Sequence, residues 1–139
     1  MNGIVPEGLP VVLVDRLLAG APYDTITVAN YQAVSSSVEY LIKRGHKKIG
    51  FITGIPRIST TAERLEAYRD TMEKYDLLKD SLICTGTSMT SLVTANLDDL
   101  LKQGCTALVI SNNLIALEAL SILRRRKTRS EVDLLVNYV

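Results

Sequence analysis

The sequence predicts an α/β fold, a doubly wound parallel sheet with helices on both faces, and three of its features carry that expectation. Compact apolar runs at residues 9–14, 49–53 and 107–110 have the composition of strands covered on both sides. Segments with helical apolar spacing alternate with those runs. The connections are only a few residues long, and crossovers of this kind join parallel strands.

Residues 9–14 read as a buried strand ending on Asp15-Arg16, with only Ile4-Val5 as an upstream partner. A parallel strand so close to Met1 implies that earlier strands and helices are missing, so the chain reads as a piece of a longer protein. Gly20, Pro22 and Asp24 mark residues 17–25 as a turn-rich loop. Ile26 and Val28 suit a short extended piece, and Asn30 suits the N-cap of the first helix. In that helix Val34, Val38, Leu41 and Ile42 form one stripe. Gly45 closes it, because a residue without Cβ accepts the left-handed conformation of a helix end. The stretch Gly45-His46-Lys47-Lys48-Ile49-Gly50-Phe51-Ile52-Thr53-Gly54 then reads as helix end, basic turn, buried strand and glycine-released loop.

Residues 56–59 are loop, and Thr60-Thr61-Ala62-Glu63 has capping-box spacing for a second helix with Leu65, Tyr68, Met72 and Tyr75 as its stripe. Residues 82–84 form a short strand and residues 86–90 a polar loop. A third helix over 91–102 turns Val93, Leu97, Leu100 and Leu101 inward and ends at Gly104. Residues 107–110 are a strand whose exit loop is Ser111-Asn112-Asn113. A fourth helix runs from 114 to about 125, with Ala116, Leu120 and Leu123 on one side, and residues 132–139 form a final strand.

The length of 139 residues suits one sizeable core, and 47% hydrophobic content excludes wholesale disorder. A net charge of +1 lacks the basic excess of an autonomous DNA-binding domain. Cys84 and Cys105 are too few for a disulfide framework and sit beside strand-like runs, as buried free thiols do. No run approaches the roughly 20 apolar residues of a membrane span, and no signal peptide is visible at the N-terminus. The expected location is the cytoplasm.

Open α/β sheets place ligands at the carboxyl ends of their strands. Polar residues gather there: Asp15-Arg16, Thr60 and Arg64, Thr85, Thr87 and Ser88, and Asn112-Asn113. An Arg fork, Asn amides and a carboxylate suit a polyhydroxylated small ligand. The same residues have local uses. Arg64 could pair with Glu63 or Glu66, the asparagines could cap a helix, and Asp15 could close a turn. Catalysis has no footing in the sequence. His46 lies at the far end of its strand and suits ordering the turn. No zinc, P-loop or nucleophile-elbow motif occurs, and the glycines of 50–54 are wrongly spaced for a dinucleotide. No cofactor or metal is expected. The cluster Arg124-Arg125-Arg126-Lys127-Thr128-Arg129 could touch nucleic acid or complement a helix end.

Several of these pieces together resemble the effector-binding domain of LacI/GalR-family bacterial transcription regulators. They are Pro10-Val11-Val12-Leu13-Val14-Asp15-Arg16, Asn30 before a helix, and Leu41 through Gly54 with its Gly-His-basic-basic-strand-Gly order. Glu63-Arg64-Leu65-Glu66-Ala67-Tyr68 and Thr106-Ala107-Leu108-Val109-Ile110-Ser111-Asn112 complete the match over about residues 8 to 123. The resemblance implies a periplasmic-binding-protein-like domain of two lobes around a ligand cleft. Residues 1–28 would be the tail of the first lobe and crossover, and 29–139 the second lobe. It implies a repressor's sensor for a sugar or nucleobase-like effector, normally a homodimer, reaching DNA only through a helix-turn-helix domain absent from this chain. By motif position it places effector contacts on Arg64, Asn112, Asp15 and Thr60. A periplasmic-type sugar receptor for transport is the alternative. The chain departs from the family pattern at Ala29-Asn30, at Asn112-Asn113, and in the basic run where a glycine-containing turn is expected.

Overall fold

Alternation along two central strands divides the core of this protein into two halves. The computed structural model describes residues 7–15, 19–55, 57–126 and 133–136. Strands β1 (Val12–Val14) and β2 (Asp24–Ile26) pair in parallel as a small separate sheet. Then follow α1 (Asn30–Lys43), β3 (Ile49–Thr53), α2 (Ser59–Lys74), a 3-10 turn (Asp80–Leu82), β4 (Ile83–Thr85), α3 (Thr90–Lys102), β5 (Ala107–Ile110), α4 (Asn113–Arg125) and β6 (Asp133–Val136). The main sheet is wholly parallel in the order β4-β3-β5-β6.

Because strand side chains alternate between faces, Ile49 and Phe51 of β3 join Ala107 and Val109 of β5 under α1 and α2. They pack there with Val34, Val38, Leu41, Ala67, Tyr68 and Met72. Ile52, Leu108 and Ile110 face the other way, against Val93, Leu97 and Leu100 of α3 and Ile115, Ala119 and Ile122 of α4. The doubly wound α/β arrangement read from the sequence is therefore the one observed. Phe51 stacks on Tyr68 at 4.6 Å between centroids, and the Tyr68 hydroxyl donates to the Ile49 carbonyl at 2.6 Å. Gly50 lies where a Cβ would come within 2.7 Å of Leu108 on β5 and 3.0 Å of Leu100 on α3, so both side chains pack directly against β3 backbone. Cys84 and Cys105 are buried free thiols, and burial pushes the Cys84 pKa up to about 11.

Several expectations are corrected. The first strand spans only Val12–Val14 and is not buried. Val12 and Val14 are exposed, because nothing among the described residues covers that face of the two-stranded sheet. Its partner is β2 downstream, whose start at Asp24 falls within the expected loop. Asn30 is not an N-cap: the helix is flanked by Ala29, and Asn30 is its first residue and buried. The capping box at 60–63 does not form either. Helix α2 begins at Ser59 after Ile58, and no side chain caps it. On α4 the buried stripe is Ile115, Ala116, Ala119 and Ile122, with Leu123 packed against it, so of the expected residues only Leu120 faces outward. Ile4-Val5, Arg16, Pro56, residues 127–132 and residues 137–139 lie outside the described residues. Of the basic run, Arg126 pairs with Asp98 at 2.6 Å and Arg125 with Glu118 at 3.7 Å.

Candidate functional site

At the carboxyl edge of the main sheet, β3, β4 and β5 each release the chain into a loop, and α2 and α4 begin there. Between these segments lies a cleft of about 490 Å³. Asp15, Thr60, Arg64 and Asn112, the four residues singled out in the sequence, all line it, as do Thr61, Thr87, Ser88, Ser111 and Asn113. Thr85 does not, because it stays in β4, in register with Thr53.

Arg64 projects from α2, half-buried. Its Nε donates to Asn30 Oδ1 at 3.0 Å, and one terminal nitrogen donates to the Ser111 carbonyl. Its other terminal nitrogen has no protein acceptor among the described residues. Burial lowers the Arg64 pKa, while the fields of Asp15 and Glu63 oppose that shift. An arginine retains its charge under any such modest change. The surface pairing with Glu63 or Glu66 that the sequence allowed is not what holds the guanidinium. Two neutral oxygens hold it instead. Asn30 is fixed in turn by donating Nδ2 to Glu63 at 3.2 Å. One buried amide thus joins the start of α1 to α2, and Arg64 joins both to the end of β5.

Asn112 caps α4. Its Oδ1 accepts from the amides of Leu114 and Ile115 at 3.0 and 3.1 Å. Its Nδ2 lies 3.7 Å from where a Cβ on Gly54 would sit, so a glycine at 54 leaves open space beside the amide. The capping use and the place on the cleft coexist, since capping consumes the oxygen and leaves the two N–H donors.

Asp15 ends β1 in the left-handed region at φ 77, with its amide donating to the Ile26 carbonyl at 2.8 Å. Non-glycine residues rarely adopt that conformation, and Asp does so more readily than most. Beneath the cleft, the buried hydroxyls of Thr53 and Ser111 bond each other at 2.6 Å. His46 is at the opposite end of β3, its Nδ1 2.8 Å from the Thr106 hydroxyl. That contact ties the turn before β3 to the turn before β5. Among the described residues no group of three metal-ligating side chains gathers.

Sequence reasoning missed Asn30 and Thr61 as parts of this edge, and it put Ser111 in the exit loop of β5 without a role there. Asn30 reaches Arg64 across 34 residues of chain, a pairing no local pattern reveals. Thr61 had only a local interpretation, as part of a capping box.

The chain matches a family model described as periplasmic binding proteins and sugar binding domain of LacI family, over residues 5–139. It is 42% identical over 77 residues to the probable HTH-type transcriptional regulator EndR of Paenibacillus polymyxa, covering 53% of this chain and 23% of EndR. A crystal structure of a transcription regulator from Staphylococcus saprophyticus superposes with a TM-score of 0.82 at 26% identity, over 92% of this chain and 50% of that one. A complex of the transcriptional regulator CelR with cellobiose gives a TM-score of 0.74 at 27% identity, over 93% and 41%. All three are described as transcription regulators and none as a transport receptor, and this chain spans half of their length or less.

Proposed function

The chain belongs to the family of periplasmic binding proteins and LacI-type sugar-binding domains, and from that premise we propose that it senses a small metabolite for a transcriptional repressor. Residues 1–28 are the tail of the first lobe with its crossover, and 29–139 are most of the second lobe. The cleft between them takes a sugar-like effector. Arg64 donates to ligand oxygens, Asp15 accepts from hydroxyl groups, and Asn112 Nδ2 and the Thr60 hydroxyl complete the polar contacts.

The arrangement of Arg64 carries this reading. A guanidinium held by Asn30 and the Ser111 carbonyl, with unused donors on a cleft, is pre-oriented for a polar ligand. Such a fork loses little freedom when it binds. That cellobiose occupies the related regulator CelR supports a saccharide class. The effector acts by binding one closure state of the two lobes better than the other. Only that difference in affinity can shift a DNA-binding domain elsewhere in the protein. The regulator works as a cytoplasmic homodimer, and DNA is touched by a helix-turn-helix domain outside this chain.

Titration of the intact regulator with a saccharide panel by calorimetry tests the proposal. In Arg64→Lys, which keeps the charge and loses the fork, affinity should fall about tenfold or more. Unchanged affinity in a variant with wild-type melting would remove Arg64 from the site.

A further inference from the structure

We propose that the first turn of α2 is an anion subsite of the cleft, and that the effector is a saccharide carrying a phosphate ester. This rests on the effector-site reading above and specifies the ligand class.

Three long helices begin on this edge, and two of them, α2 and α4, line the cleft with their first turns; these two differ. The first amides of α4 are occupied, Leu114 and Ile115 by Asn112 and Leu114 also by Asn113. Helix α2 follows an apolar Ile58, has no side-chain cap and no acidic residue in its first turn. Its amides at Thr60 and Thr61 precede the first intrahelical bond, which runs from Ala62 to the Ile58 carbonyl. Among the described residues, then, no side-chain cap and no first-turn carboxylate offsets the positive end of this helix dipole.

The side chains there give an independent indication. Thr60 and Thr61 are each only 7% exposed, both line the cleft, and neither hydroxyl has a hydrogen-bond partner among the described residues. Buried hydroxyls are nearly always paired in native proteins, so two adjacent unpaired ones point to a missing acceptor. Arg64 follows Thr60 by four residues, on the same face of the helix. Its neutral partners Asn30 and Ser111 leave its charge without a hydrogen-bonded carboxylate.

Amides, hydroxyls and guanidinium are all able to donate, and together they match the three terminal oxygens of a phosphate ester. A neutral sugar hydroxyl would use one or two of them. Asp15, the one carboxylate lining the cleft among the described residues, comes from β1 rather than α2 and suits the sugar hydroxyls.

The test titrates the intact regulator with glucose, fructose and galactose, with their monophosphates, and with inorganic phosphate alone. At least one monophosphate should bind about tenfold or more tightly than its parent sugar, with inorganic phosphate competing. Thr61→Val should abolish that preference and Thr61→Ser should restore it. A parent sugar binding as tightly as its esters would overturn the anion subsite while leaving the sensor reading intact. A preference for the ester that persists in Thr61→Val would also overturn it. If no sugar of the panel binds, thermal stabilisation by inorganic phosphate decides: a shift lost in Thr61→Val supports the subsite, and no shift overturns it. The sensor reading fails separately, through a ligand whose affinity ignores Arg64→Lys.

Discussion

Asn30 has the composition of a helix cap and the burial of a core residue, at 1% exposure. Its amide works in both directions, accepting from Arg64 and donating to Glu63, so it aligns a charge without neutralising it. Asn30→Ala should leave Arg64 Nε without its acceptor and free the guanidinium to swing. Effector affinity should fall about tenfold and folding stability by about 1–2 kcal/mol. Calorimetry beside urea unfolding separates the two effects, and intact affinity would show that Asn30 supports only the fold. Cys84 is a different kind of residue-scale effect. Burial first, then the Asp99 and Cys105 fields, raise its pKa to about 11. The folded state therefore favours the neutral thiol, and that stabilisation is complete below the ordinary thiol pKa and is lost as pH rises toward 11. The urea midpoint should fall between about pH 8 and about pH 10.5, and fall less in Cys84→Ala. Cys105, whose pKa burial also raises, contributes to the loss that remains, and Tyr68 adds to it only at the top of that range. Equal losses in both proteins would exclude the thiol. Of these residues, sequence showed Cys84 as buried because its neighbours are apolar. It could not show what Asn30 does, because that depends on a partner 34 residues away.

Three helices end in the same way. After α1 the amides of Gly45 and His46 bond back to the carbonyls of Ile42 and Leu41, and after α3 those of Gly104 and Cys105 bond to Leu101 and Leu100. After α2 the same pair of bonds runs from Asp76 and Leu77 to Glu73 and Met72. The residue that must turn left-handed is glycine in two cases and Asp76, at φ 58, in the third. The glycine ends were therefore legible in sequence, whereas the end of α2 was visible only as a fading stripe near residue 75. Asp76→Gly should raise stability by about 0.5–1 kcal/mol, the relief of the Cβ clash less the entropy of glycine. A lower denaturation midpoint would mean that the aspartate holds that turn by some other contact. The α4 stripe was legible at Ala116 and Leu123 but not at Leu120, which is exposed. Its sequence is apolar around much of the helix, so only packing against Leu108 and Ile110 decides that Ile115 and Ile122 face inward.

At the scale of the whole molecule, β3 and β5 were read to the residue, because strands buried on both faces advertise themselves as unbroken apolar runs. Residues 9–14 looked the same, yet β1 is exposed: a run that reads as buried needs a neighbour to cover it. Val12, Val14 and Ile26 project from the small sheet at 56%, 71% and 63% exposure. A second apolar patch lies on α4, where Leu114, Leu117 and Leu120 share the outward face. Contiguous apolar area of this kind is unusual on a monomer and is relieved by association. The 139-residue chain should therefore self-associate in sedimentation runs spanning about 5 to about 200 µM. The two patches make separable demands. If α4 supplies the face of the proposed homodimer, Leu117→Lys should shift the chain to monomer and Val14→Lys should not. The reverse result would place the contact on the β1–β2 sheet, where a first lobe would otherwise pack, and would take α4 out of the dimer. A wild-type chain that stays monomeric throughout would count against both contacts, since neither patch would then be supplying enough buried area to hold two copies together.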